Sequence, residues 1–158
     1  MLLRWEQGRG VVDELIDKRH LERVPANGEH AAQLLEQARR HATSAATIRN
    51  SDPELAFAAA YDAARKALTA ILAIQGLRPT SAGGHLAVYH SALAQLDPPM
   101  GKAIKPFDWM RRTRNDTEYP HAGSAAIHLD DVDDAITTAD EIVKLADTLI
   151  ETLPPYGR

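Results

Sequence analysis

Apolar residues recur along most of this chain at steps of three and four, the spacing that gathers them on one face of an α-helix. Val11, Val12, Leu15 and Ile16 form the first stripe. The pattern predicts a helix over 11–24 that stops at the turn cluster Pro25-Ala26-Asn27-Gly28. Ala31, Leu34, Leu35, Ala38 and Ala42 carry a second helix over 29–50. The third, over 51–76, has the fullest set of signals: Ser51 or Asp52 as N-cap, Pro53 in the first turn and Gly76 as a stop. Its broad apolar face, Leu55, Ala59, Ala63, Ala67, Leu68, Ile71 and Leu72, marks it as the central core helix.

Residues 77–84 read as a loop, and 85–96 as a shorter helix closed by Asp97-Pro98-Pro99-Met100-Gly101. A further helix runs from about Pro106 until Pro120 interrupts it. The last is expected over 130–153, with Asp130 or Asp131 as N-cap and Asp133 and Asp134 favoured by the positive end of the helix dipole. The expected fold is therefore all-α, a compact antiparallel bundle of five or six helices. Residues 1–27 read as an N-terminal helical extension, 28–153 as the bundle domain and 154–158 as a tail.

Composition narrows the chemistry. The 158 residues contain no cysteine, which removes disulfides, thiolate catalysis and cysteine-based zinc sites. The seven histidines form no H-E-x-x-H pattern, and His85 and His90 are spaced poorly for one helix face, so neither a metal nor any other cofactor is expected. No apolar run approaches the roughly 18 residues of a membrane span, and the opening stretch lacks a secretory pattern, so a cytoplasmic location and no membrane partner are expected. A net charge of −4 argues against a protein coated by nucleic acid over its whole surface. The charge is nevertheless uneven. Residues 101–115 hold Lys102, Lys105, Arg111, Arg112 and Arg114 against Asp108 alone, and a local basic patch suffices to bind a phosphate backbone.

Polar chemistry is densest over 111–121, Arg-Arg-Thr-Arg-Asn-Asp-Thr-Glu-Tyr-Pro-His. Arg114 and His121 are the candidate reactive pair. A guanidinium matches phosphate oxygens and stabilises charge that develops on them, and an imidazole moves protons near neutral pH. Together they suffice to cleave RNA without a metal. The same Arg-x6-His spacing recurs at Arg23–His30 and Arg78–His85, but only Arg114 lies in a basic run beside an Asn-Asp pair. A second reading stays open: Arg114–Glu118 and Arg112–Asp116 are i,i+4 pairs, as on any solvated helix face.

The order of these segments resembles the HEPN superfamily of α-helical domains. The resemblance rests on Tyr61-Asp-Ala-Ala-Arg-Lys-Ala-Leu68, on the Gly84-His85 pair after the loop, and on Arg114 followed by polar Asn115 and then His121. It implies a homodimer whose Arg/His motifs share a cleft, and a metal-independent endoribonuclease of toxin, defence or RNA-processing type. By the same resemblance Arg114 holds the scissile phosphate, His121 is general acid or base, and Asn115 orients either. Arg111, Arg112 and Lys105 would bind flanking phosphates of the RNA substrate. A cognate antitoxin or nucleotidyltransferase is the implied protein partner, although Tyr119 precedes the histidine whereas the modified tyrosine of silenced relatives follows it. For Tyr119 a core or hydrogen-bonding role is expected instead. A non-catalytic module that binds RNA, nucleotide or a partner protein is the alternative.

Overall fold

The computed structural model describes residues 6–123 and 126–157. The described residues form a helical bundle. Its helices are α1 (Arg9–Asp17), α2 (Gly28–Ile48), α3 (Pro53–Gln75), α4 (Gly84–Leu96), the single turn α5 (Gly101–Ile104), α6 (Pro106–Glu118) and α7 (Leu129–Leu149). Two short strands, β1 (Leu21–Arg23) and β2 (Leu77–Pro79), pair antiparallel with Glu22 opposite Arg78.

Helix α3 is the axis, packed by α2, α7, α6 and α4. Its ends follow the sequence signals. The Asp52 carboxylate accepts the Leu55 N–H at 3.2 Å, Pro53 opens the helix, and Gly76 closes it at φ 76°. Glycine suits that last position because a left-handed backbone strains any residue with a Cβ. Alanines line both sides of the α2–α3 contact, among them Ala31, Ala38, Ala45, Ala56, Ala60, Ala63 and Ala67, all fully buried. Small side chains let the two helices approach closely. Large apolar groups fill the other flank of α3. There Tyr61 stacks on Phe107 (centroids 5.2 Å apart, 15° between planes) and Phe57 meets Trp109 edge-on at 5.5 Å. Ring pairs of this kind add about 0.5–1.5 kcal/mol each beyond their buried area.

Several expectations are corrected. The first helix ends at Asp17, not 24, because Arg19 takes a left-handed backbone (φ 59°) that leaves the helix, and the residues that follow enter β1. Part of the expected loop at 77–84 is the partner strand β2. The N-terminal cap position of α7 is His128; Asp130 and Asp131 lie inside the first turn, where they still meet the helix dipole. Leu55 is 55% exposed although expected on the core face, because it sits at the rim where α3 begins.

The segment after α7 packs back onto the bundle. Tyr156 is buried, donates its hydroxyl to Asp13 at 2.6 Å, and its N–H donates to the Gln75 carbonyl at 2.8 Å. Beneath it, Gln75 and Gln95 exchange side-chain hydrogen bonds at 2.7 and 3.1 Å, so this buried amide pair is satisfied. Next to Asp13, Val12 of α1 is fully buried, and α1 packs on α4.

Candidate functional site

Helix α6 carries most of the expected residues and distributes them over three cavities. Arg114 lines one of about 270 Å³ together with Asp52, Leu55, Phe57, Thr117 and Glu118. Arg111 and Asn115 line an open one of about 350 Å³ with Gly83, Gly84, His85 and Leu86. His121 lines a third, of about 360 Å³, with Asp116, Thr117, His128 and Asp131. Thr117 borders both the first and the third. The reason for this division is local. Pro120 has no amide hydrogen to continue a helix, α6 ends at Glu118, and His121 follows in the loop with Nδ1 3.1 Å from the Ala122 carbonyl oxygen.

The basic residues differ in how they are held. Arg111 and Arg112 both pair with Asp108, at 3.0 and 3.3 Å, so the expected Arg112–Asp116 pair is replaced by one a turn earlier. Lys105 reaches Asp97 at 3.5 Å and is mostly exposed. Arg114 lies over the Tyr61 ring, 5.8 Å from its centroid, with Glu118 3.9 Å from Nε, beyond hydrogen-bond range. The Nε atoms of Arg114 and Arg65 are buried without a hydrogen-bond partner among the described residues. Tyr119, expected in the core or hydrogen-bonded, is 74% exposed; its backbone N–H donates to the Asn115 carbonyl to close the helix.

Sequence reasoning did not assign His85 to this group. The Tyr61 hydroxyl and His85 Nδ1 lie 2.6 Å apart, and His85 sits beside Arg111 and Asn115 in their cavity. Burial holds the His85 pKa below its ordinary 6.5; Arg65, Arg114 and Arg111 lower it further and Asp62 opposes them. Burial also pushes the Tyr61 hydroxyl up to about 12, so it stays protonated at neutral pH. A second imidazole is placed similarly on α2. His41 Nε2 is 2.7 Å from Lys66 Nζ, and burial followed by the Lys66 charge lowers its pKa. Arg65 lowers both histidines and Asp62 raises both.

These shifts carry a pH dependence. Both folded-state pKa values lie below 6.5, so below that value the unfolded chain binds protons that the folded chain does not. The stability they contribute is fully present above pH 6.5 and declines as pH falls below it. The urea midpoint is expected to fall between about pH 7 and about pH 5, and less steeply in a variant carrying His41→Gln and His85→Gln. Equal slopes in the two proteins would show that these imidazoles do not set the dependence.

The described residues thus form a largely helical domain in which α6 sets Arg111 and Asn115 beside His85 and Arg114 over the Tyr61 ring. Residues 31–149 match the family model of the HEPN domain, and the chain belongs to that family. No curated protein and no solved structure matches the chain. No described helix is long and apolar enough to cross a membrane, and no three His, Asp or Glu among the described residues are grouped to hold a metal.

Proposed function

We propose that this HEPN domain is a metal-independent endoribonuclease of toxin or defence type, acting in the cytoplasm in a cleft between two copies of the chain. Arg111 and Asn115 share a cavity with His85, whose Nδ1 lies 2.6 Å from the Tyr61 hydroxyl, and Arg114 lies over the Tyr61 ring; this grouping carries the reading. A phosphate diester is an anion that guanidiniums bind, and desolvated guanidiniums stabilise added charge at phosphorus. Arg114 meets the scissile phosphate, His121 transfers a proton, Asn115 orients the phosphate, and Arg111, Arg112 and Lys105 follow the flanking backbone. Leu55 and Leu86, exposed beside Arg114 and His85, support the two-copy cleft, because apolar side chains rimming a charged site are what an interface covers.

The test is incubation of wild type, Arg114→Ala and His121→Ala with mixed-sequence RNA in EDTA, reading the 3′ ends of the products. Wild-type fragments ending in 2′,3′-cyclic phosphate are expected, with each variant slower by about 10²–10⁴-fold. The alternative, a domain that binds RNA or a nucleotide without cleaving it, is favoured by the separation of Arg114 and His121 into different cavities. Intact RNA with salt-sensitive binding would decide for it.

A further inference from the structure

We propose that His85 is the general base of this site, taking the proton of the attacking ribose 2′-hydroxyl. The inference deepens the ribonuclease reading and rests on it. His85 shares a cavity with Arg111 and Asn115. Its Nδ1 is committed to the Tyr61 hydroxyl at 2.6 Å, which leaves Nε2 as the nitrogen for a ligand. For Nε2 to accept a proton, Nδ1–H must donate to the tyrosine oxygen; that hydrogen bond then serves the neutral and the protonated ring alike, so proton uptake at Nε2 requires no reorientation. Tyr61 is itself fixed, buried and stacked on Phe107, so the ring it holds has a defined place.

The surrounding charge favours a base over an acid. Tyr61, Asp62 and Arg65 act on His85 from α3, and Arg111 and Arg114 from α6. Burial first, and then the arginines against Asp62, disfavour the imidazolium, so the resting ring is neutral at pH 7, the form a base needs. In the reaction His85 Nε2 removes the 2′-hydroxyl proton and the 2′-oxygen bonds to phosphorus. The bond from phosphorus to the 5′-oxygen breaks, and that oxygen leaves with a proton from His121. The products are a 2′,3′-cyclic phosphate and a 5′-hydroxyl, and the two imidazoles regain their starting states by exchange with solvent. The arginines that depress the base also face the phosphate whose charge rises as the bond forms, so one set of cations serves both purposes.

The experiment measures kcat against pH on a single-stranded mixed-sequence RNA in EDTA for wild type, His85→Gln, His121→Ala and Tyr61→Phe. For His85→Gln the expectation is a kcat about 10²–10⁴-fold lower, KM little changed, and loss of the rising limb at acid pH. His121→Ala should keep the rising limb, and Tyr61→Phe should shift it without abolishing it. Wild-type kcat with an intact rising limb in His85→Gln would overturn the assignment while leaving the ribonuclease reading standing. No cleavage by the wild type would overturn both. Circular dichroism checks that each variant is folded. Should His85→Gln not fold, the ring resonances of wild-type His85 are followed while a 2′-O-methyl RNA oligonucleotide is added. Saturable movement of them supports contact with the ribose-phosphate, and none overturns it.

Discussion

Replacing Phe107 with alanine is expected to lower the unfolding free energy by about 3–5 kcal/mol, the range for deleting a fully buried aromatic ring. Phe107 is completely buried, stacked on Tyr61 and, at 6.0 Å between centroids, on Tyr89. Neither neighbour can collapse into the space easily: Tyr61 is tied through its hydroxyl to His85, and Tyr89 leans on His90. The loss should appear as a lower urea midpoint with an unchanged slope, the signature of altered stability rather than an altered unfolded state. A change under about 1 kcal/mol would mean that the aromatic stack is not a principal part of the core. Because the stack also backs Tyr61, the same variant should loosen the support of His85 even at temperatures where the fold persists.

Gly83→Ala is the second large effect, and its cause is a neighbour rather than a dihedral. Gly83 has an ordinary φ of −77°, but an added Cβ would overlap the carbonyl carbon and oxygen of His20, which are backbone atoms. That carbonyl already accepts the Thr80 N–H at 3.1 Å, and Thr80 binds Arg19 through its hydroxyl at 2.6 Å, so the segment has little freedom to retreat. Overpacking of this kind costs about 1–3 kcal/mol, sometimes more. Gly84 next to it is the contrast. Nothing lies within 4 Å of a Cβ there, and its φ of 56° imposes only the left-handed penalty of about 1–2 kcal/mol. Thermal melts should therefore rank Gly83→Ala below Gly84→Ala. The reverse order would mean that the turn before α4 yields more readily than its packing implies.

What the sequence disclosed depended on how local each signal was. Asp52, Pro53 and Gly76 bracket α3 within the helix's own residues, so its ends are legible from the chain alone. The strand β1 is not, because its partner lies 56 residues away and three residues carry no period of their own. Leu21 therefore fell within the helix expected over 11–24, whereas it is a buried residue of β1. The basic run of α6 marked Arg111, Arg114 and Asn115, and Pro120 marked the end of the helix. The consequence of that end, His121 facing a different cavity from Arg114, is a three-dimensional fact. His85 stood out least, since one histidine after a glycine turn is unremarkable. A faint signal existed in Tyr61, Asp62, Arg65 and Lys66, a polar set on the helix otherwise richest in apolar residues. Polar groups on the central helix of a bundle need partners, and His41 and His85 are two of them.

The Tyr156 clasp bears on the order in which the chain matures on the ribosome. Asp13 and the tyrosine that binds it are separated by 143 residues of synthesis. Translation delivers α1 first, but the hydroxyl that fastens it, and the backbone amide that meets Gln75, emerge after α7 is complete. Domains tend to fold as units while they are made, N-terminal parts first. Here α1 must wait for a residue made 143 positions after Asp13, so a nascent chain halted before Tyr156 holds α1 through contacts such as those with β1 and α4, without the clasp.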